Sequence, residues 1–212
     1  MRPLTTDELL STTRAVRRRL DVGRPVELSV IDECLRLAQQ APTGGNAQNW
    51  RWLVITEPER RRQIAEIYRR AGRPAFEAAL ARQTDPAAQR AYADAIGLAD
   101  LMADIPILVV PCALHRPLEW SSHRYAAFYG SILPAIWSFQ LALRSRGLGS
   151  TFTTAHLRAE AEMADLLGIP DGVSQIALLP VAYTIGTDFK PARRKPVAEV
   201  TYHDRWGSPW PI

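Results

Sequence analysis

The stretch "APTGGNAQNWRWLVI", residues 41–55, decides how the rest of the chain is read. Its first half is turn chemistry: Pro42, Thr43, Gly44, Gly45 and Asn46, with Gln48 and Asn49 close behind. Its second half, Trp52-Leu53-Val54-Ile55, is a short apolar run that predicts a buried strand. A plain connector needs one glycine or one amide. Adjacent glycines, clustered amides and a tryptophan predict a backbone lying against a flat ligand with polar edges. A residue without Cβ permits that close approach.

Working outward, Thr5 and Glu8 have capping-box spacing, and the pattern predicts a first helix from Thr5 to about Leu20. Ser29 and Asp32 repeat the spacing at a second helix over 29–40, with Ile31, Leu35 and Ala38 on its apolar face. Beyond the opening stretch, Pro58 starts a charged amphipathic helix to about Arg70. Residues 71–104, rich in alanine, arginine and glutamine, predict one or two helices broken near Asp85-Pro86, an excursion from the core. "IPILVVPCAL", 105–114, reads as a strand, and "HRPLEW", 115–120, as a loop. Residues 126–146 form the longest apolar segment and predict a central helix, kinked at Pro134 and capped by Gly147. "GLGSTFTT", 147–154, predicts a short strand or loop. A helix over 158–167 and a last core strand over 174–184 follow. After Gly186, Pro191, Pro196, Pro209 and Pro211 and the lack of periodicity predict an extended arm, 186–212. Helices and strands mix without strict alternation, which indicates an α+β fold in a single domain, 1–212.

With 212 residues the chain can bury a real core. It shows no long uninterrupted apolar run, so no membrane span is expected, and "MRPLTTDELL" has no apolar core of a signal peptide; the expected location is cytoplasmic. Cys34 and Cys112 lie too far apart to form a motif and read as buried small hydrophobes. His115, His123, His156 and His203 lack metal-ligand spacing, so no metal is expected; His123 beside Arg124 is the one to watch. Trp120, Trp137, Trp206 and Trp210 read as core or interface anchors. The net charge is +4, yet most arginines are interleaved with acids, as on a solvated face. Two basic clusters stand apart, Arg14-Arg17-Arg18-Arg19 and Arg193-Arg194-Lys195, and guanidinium forks suit phosphate. No Gly-x-Gly-x-x-Gly or Gly-x-x-x-x-Gly-Lys loop is present.

Four stretches in order carry a resemblance: "TTRAVRRRLD" (12–21), the opening stretch, "GLGS" (147–150) and "PVAYTIGTDFKPARRKPVAEVTYHDRW" (180–206). Together they resemble the FMN-dependent nitroreductase family over nearly the whole chain apart from the excursion. The resemblance implies an α+β nitroreductase-like fold with a mixed central sheet flanked by helices. It also implies a homodimer with FMN at the subunit interface, and an arm extended over the partner. By the same resemblance Arg14, Ala15 and Arg17 stand at the FMN phosphate, and Arg193 or Arg194 closes on it. Thr13 and Ala15 replace a usual arginine and serine, and Arg18 or Arg19 is placed to compensate. Pro42, Thr43, Gly44, Asn46 and Gln48 run beside the flavin ring, with Asn49 where a proline is common. Gly149 and Ser150 pass near its other face and N5.

The implied chemistry is FMN's, with no catalytic side chain required. NADH or NADPH passes a hydride to N5 and leaves. A nitroaromatic, a quinone or a similar small-molecule acceptor then takes the electrons, in ping-pong order. An arginine of the first cluster, Arg17 the candidate, stabilises the anionic reduced flavin. Should 71–104 fold over the flavin, the alternative is a flavin-sequestering protein with little turnover. A nucleic-acid-binding module is the third class, and it lacks aromatic interleaving and any motif.

Overall fold

The computed structural model describes residues 3–117, 119 and 121–211; Trp120 lies outside them. Strand β3 (Ile107–Ala113) is the centre and is buried at every position. Its alternation divides the core in two. Leu108, Val110 and Cys112 face one side, and Ile107, Val109 and Ala113 the other. Strand β2 (Trp50–Ile55) pairs along one edge of β3, from Trp50 opposite Ala113 to Ile55 opposite Leu108. Strands β5 (Ser174–Gln175) and β6 (Leu179–Thr184) pair with it as well. Strands β4 (Leu148–Ser150) and β1 (Leu20–Asp21) pair with the far end of β6. These ladders are all antiparallel, so the described sheet is antiparallel where the resemblance implies a mixed one; an isolated parallel bridge, Ala15 with Ser150, lies outside these ladders.

Helices cover both faces. On one, α3 (Pro58–Arg82), α4 (Pro86–Leu101) and α6 (Glu160–Leu167) bury Ile64, Tyr68, Leu98 and Met163. On the other, α2 (Leu28–Ala38) and α5 (Ser122–Ser145) bury Ile31, Cys34, Ile132, Ile136, Phe139 and Leu143. Both thiols are buried and unbridged, and burial pushes Cys34 up to about 11 and Cys112 to about 12, so they act as hydrophobes. By length and hydropathy α5 is long and apolar enough to cross a membrane, and half of that apolar stretch is buried inside the chain.

The structure departs from the sequence reading where distant partners intervene. The first helix, α1 (Thr6–Thr12), has its capping box but stops well short of Leu20. Beyond it, Val16 donates to the Ser150 carbonyl at 2.9 Å, and Leu20–Asp21 becomes the short edge strand β1. At α2 the capping box expected from Ser29 and Asp32 does not form; Glu27 is the N-cap, without a side-chain bond. Helix α3 runs twelve residues past Arg70, to Arg82. Gly72 does not break it because the glycine serves packing: a Cβ there would stand 2.8 Å from the Ala155 Cβ. The break does fall at 83–85, where the Asp85 carboxylate caps α4. Helix α5 continues through Pro134, and Gly147 takes a φ of 79° just beyond its end. The last strand is interrupted at 176–178. Residues 186–211 are largely exposed, with one short helix, α7 (Val197–Val200), and a Tyr202–Pro209 bridge.

One buried group gives a pH test. His156 is fully buried in a 3-10 turn, neither ring nitrogen has a partner among the described residues, and burial lowers its pKa to about 4. The unfolded chain, with an ordinary histidine near 6.5, takes up the proton first. Stability is therefore full above about pH 6.5 and falls as pH drops through the window toward about 4. Urea denaturation should show a loss of about 2 kcal/mol between about pH 7.5 and about pH 5. His156→Leu should remove most of that difference; an equal loss in the variant would reject the assignment.

Candidate active site

A cavity of about 340 Å³ is surrounded mostly by basic side chains. Arg14, Ala15, Val16, Arg17, Arg18 and Arg19 form one wall, and Asp188, Phe189 and Lys190 another, with Asp94 of α4 at the side. The arginine segment lies here because it cannot stay helical. Its backbone is drawn to β4 by the Val16–Ser150 bond, and Gln140 of α5 donates to the Ser150 hydroxyl at 3.0 Å. Arg19 pairs with Asp188 at 2.6 Å, and Arg18 makes a charge contact with Asp94 that is not an aligned hydrogen bond. Among the described residues Arg14 donates to a backbone carbonyl, that of Lys190, at 2.9 Å, and to no carboxylate. Arg17 has no ion-pair partner among the described residues; it lies near Tyr68, whose pKa burial raises and whose hydroxyl meets Thr153 at 2.8 Å. Five basic side chains against two carboxylates leave this wall positive and suited to a phosphate.

The glycine loop is elsewhere. Gly44–Asn46 form a 3-10 turn in which Gly45 has φ 58°. Asn46 and Gln48 also have positive φ, 53° and 47°, a strained form that clusters at functional sites. Gln48 holds the shape, its N–H donating to the Thr43 hydroxyl and its amide to Asn46. Gly44 makes its close approach to the chain itself, donating to the Ser131 hydroxyl at 3.0 Å. Pro42, Gly44, Gly45, Asn46 and Gln48 are exposed. A second cavity, of about 290 Å³, opens beside the loop between Gly44, Asn49, His123, Arg124 and Phe128.

The expected site residues therefore fall into two groups. Ser131 contacts the loop, and Gln140 contacts the arginine wall through Ser150. Nine positions along a helix are roughly 14 Å and about two and a half turns, so the groups lie on opposite sides of α5. Gly149 and Ser150 are buried in β4 and engaged with Val16, Gln140 and β6 rather than facing a cavity. The exposed continuation is Phe152 and Thr154. Arg193 and Arg194 are exposed and do not line the cavity of their own chain; Lys190, which sequence reasoning passed over, does. Among the described residues no cluster of His, Cys, Asp or Glu could hold a metal.

The site is thus a layered α+β sheet with a positively charged arginine wall and a strained glycine loop. The nitroreductase family model matches residues 10–183, and the chain belongs to that family. The iodotyrosine deiodinase of Drosophila melanogaster is 28% identical over 179 residues, 83% of this chain and 61% of that protein. That of Thermotoga neapolitana is 25% identical over 177 residues, 83% of this chain and 87% of that one. The chain thus spans about three fifths of the first curated relatives it matches. Among solved structures, oxidized iodotyrosine deiodinase bound to FMN and 3-iodo-L-tyrosine superposes with a TM-score of 0.70 at 22% identity, covering 95% of this chain and 98% of that one. The FMN and NADPH-dependent nitroreductase NfnB from sphigopyxis sp. strain HMH gives 0.70 at 21%, covering 96% and 100%. These structures share the fold.

Proposed function

We propose that the chain is an FMN-dependent oxidoreductase that works as a homodimer. The carrying observation is the division of the site: the arginine wall and the glycine loop lie on opposite sides of α5. Within one chain the two lie apart, and a second copy would bring its loop to the first copy's arginine wall. The exposed Leu133 and Trp137 on α5 support this pairing, with Tyr129 one turn earlier packed on Phe128 and Tyr125. The exposed Val197, Val200 and Trp206 are a second apolar surface, suited to an arm lying on the partner.

The residues fit FMN. Arg14, Arg17 and Lys190 hold its phosphate, and the loop of the other copy presents backbone groups and Asn46 to the polar ring edge. FMN, when bound, supplies the redox chemistry that side chains lack. Positive charge from the arginine wall favours a flavin carrying negative charge. NADPH or NADH as donor and a nitroaromatic or quinone as acceptor, taking turns at one open face, agree with a site that needs no proton-transfer dyad. The iodotyrosine deiodinase relatives support a second reading of the acceptor, a halogenated phenol reduced with loss of halide.

The test is an anaerobic titration of FMN-loaded protein with NADPH, then NADH, following the flavin's visible absorbance. Bleaching reversed by a nitroaromatic or quinone is the expected result. Reversal by 3-iodo-L-tyrosine with iodide release, and by no nitro compound, would establish the dehalogenase reading instead. Bound flavin that no donor bleaches would point to a sequestering protein covered by 71–104, and failure to bind FMN would overturn the proposal.

A further inference from the structure

Arg144 is anomalous. It sits in the last turn of α5, is 4% exposed, and has no partner for Nε or Nη1. Its Nη2 donates to the Thr187 carbonyl at 3.1 Å. No carboxylate pairs with it among the described residues. Its Cζ lies 4.7 Å from the Phe189 ring, and the Arg19 Cζ lies 4.3 Å from the same ring. A buried cation without a counter-charge is costly, and cation–π attraction offsets only part of that cost.

The same residues fasten the start of the C-terminal segment. Arg19 Nε donates to the Ile185 carbonyl at 2.7 Å, Arg144 to Thr187, and Arg14 to Lys190. Gly186 makes the turn with φ 74°, and a Cβ there would stand 2.6 Å from Arg19 Nη2. Residues 185–190 are thus a strap tied through its own carbonyls to three arginines. Arg14 and Arg19 also line the cavity, as do Phe189 and Lys190 of the strap.

We infer that fastening of this strap is linked to occupancy of the cavity by a phosphate, with Arg144 as a positioning residue acting through Thr187 and Phe189. The inference rests on reading the cavity as the phosphate site. Closing the strap gathers Arg14, Arg19, Arg144 and Lys190; Asp188 of the strap pairs with Arg19, and the remaining cations, Arg14, Arg144 and Lys190, are left in excess and repel. An anion on Arg14, Arg17 and Lys190 relieves that repulsion most where the strap holds Lys190 at the cavity. By reciprocity, the fastened strap raises the anion's affinity by the same factor.

Arg193 and Arg194 lie exposed just beyond the strap and report on it through trypsin. Cleavage after them is timed by mass spectrometry in the full chain, alone and with riboflavin, FMN or inorganic phosphate. Flavin binding is followed separately by fluorescence quenching. FMN and phosphate should each slow cleavage on the order of tenfold, and riboflavin should not. Phe189→Ala and Arg144→Gln should be cleaved at the unliganded rate whatever is added. Both should bind FMN more weakly by that same factor with riboflavin affinity unchanged, and Phe189→Tyr should restore both properties. Quenching by FMN with cleavage unaffected by FMN and phosphate overturns the strap and leaves the flavin reading standing. Slowing by phosphate without any FMN binding supports the strap and overturns the flavin reading. No effect of either ligand overturns both.

Discussion

Trp137→Asp is expected to give a folded monomer that has lost its FMN. Trp137 is 44% exposed on α5, in line with Leu133 and Tyr129, and faces away from the core residues Ile136 and Phe139. In a single chain the substitution touches only surface and costs little. In a dimer packed across this stripe it buries an unpaired carboxylate, at about 3–5 kcal/mol. At 1.4 kcal/mol per decade the dimer constant weakens by roughly 100-fold to several thousandfold. Flavin goes with the dimer, because the loop half and the arginine half then no longer meet. Sedimentation and flavin content of the purified variant check both. A yellow dimer would place the interface elsewhere, and a colourless dimer would separate assembly from cofactor binding.

Arg14→Ala combined with Arg17→Ala should abolish tight FMN binding while leaving riboflavin affinity unchanged. Each guanidinium offers the phosphate a charge-assisted hydrogen bond, worth about 1.5–3 kcal/mol, or roughly 10- to 150-fold in affinity. Neither residue has a carboxylate partner among the described residues, so stability should change little. Fluorescence quenching with both flavins reads the difference. Equal loss of both would show that the pair supports the ring pocket or the fold rather than the phosphate.

Much of the fold was legible because its signals are local. The Thr5–Glu8 capping box formed, the Asp85-Pro86 break separated α3 from α4, and the continuous apolar run before Leu114 became the fully buried β3. Gly147 ended the central helix, as a residue tolerant of positive φ does. Other features depended on residues far away along the chain. The helical pattern at 13–19 lost to the bond between Val16 and Ser150, and two-residue strands carry no periodicity to read. Lys190 reached the cavity because the strap turns at Gly186; the charge run at Arg193-Arg194-Lys195 was the louder signal.

The sequence by itself determined the layered α+β class, its central strand and central helix, and a glycine loop and an arginine segment set aside from ordinary structure. Those properties follow from spacing, turn chemistry and burial within a few residues. Only the tertiary structure decided that loop and arginines lie on opposite sides of α5, that Gly149 and Ser150 are spent on packing, and that Arg144 points inward beneath Phe189. Side-chain direction around a helix buried on several faces depends on what packs against each face, and no local pattern encodes that.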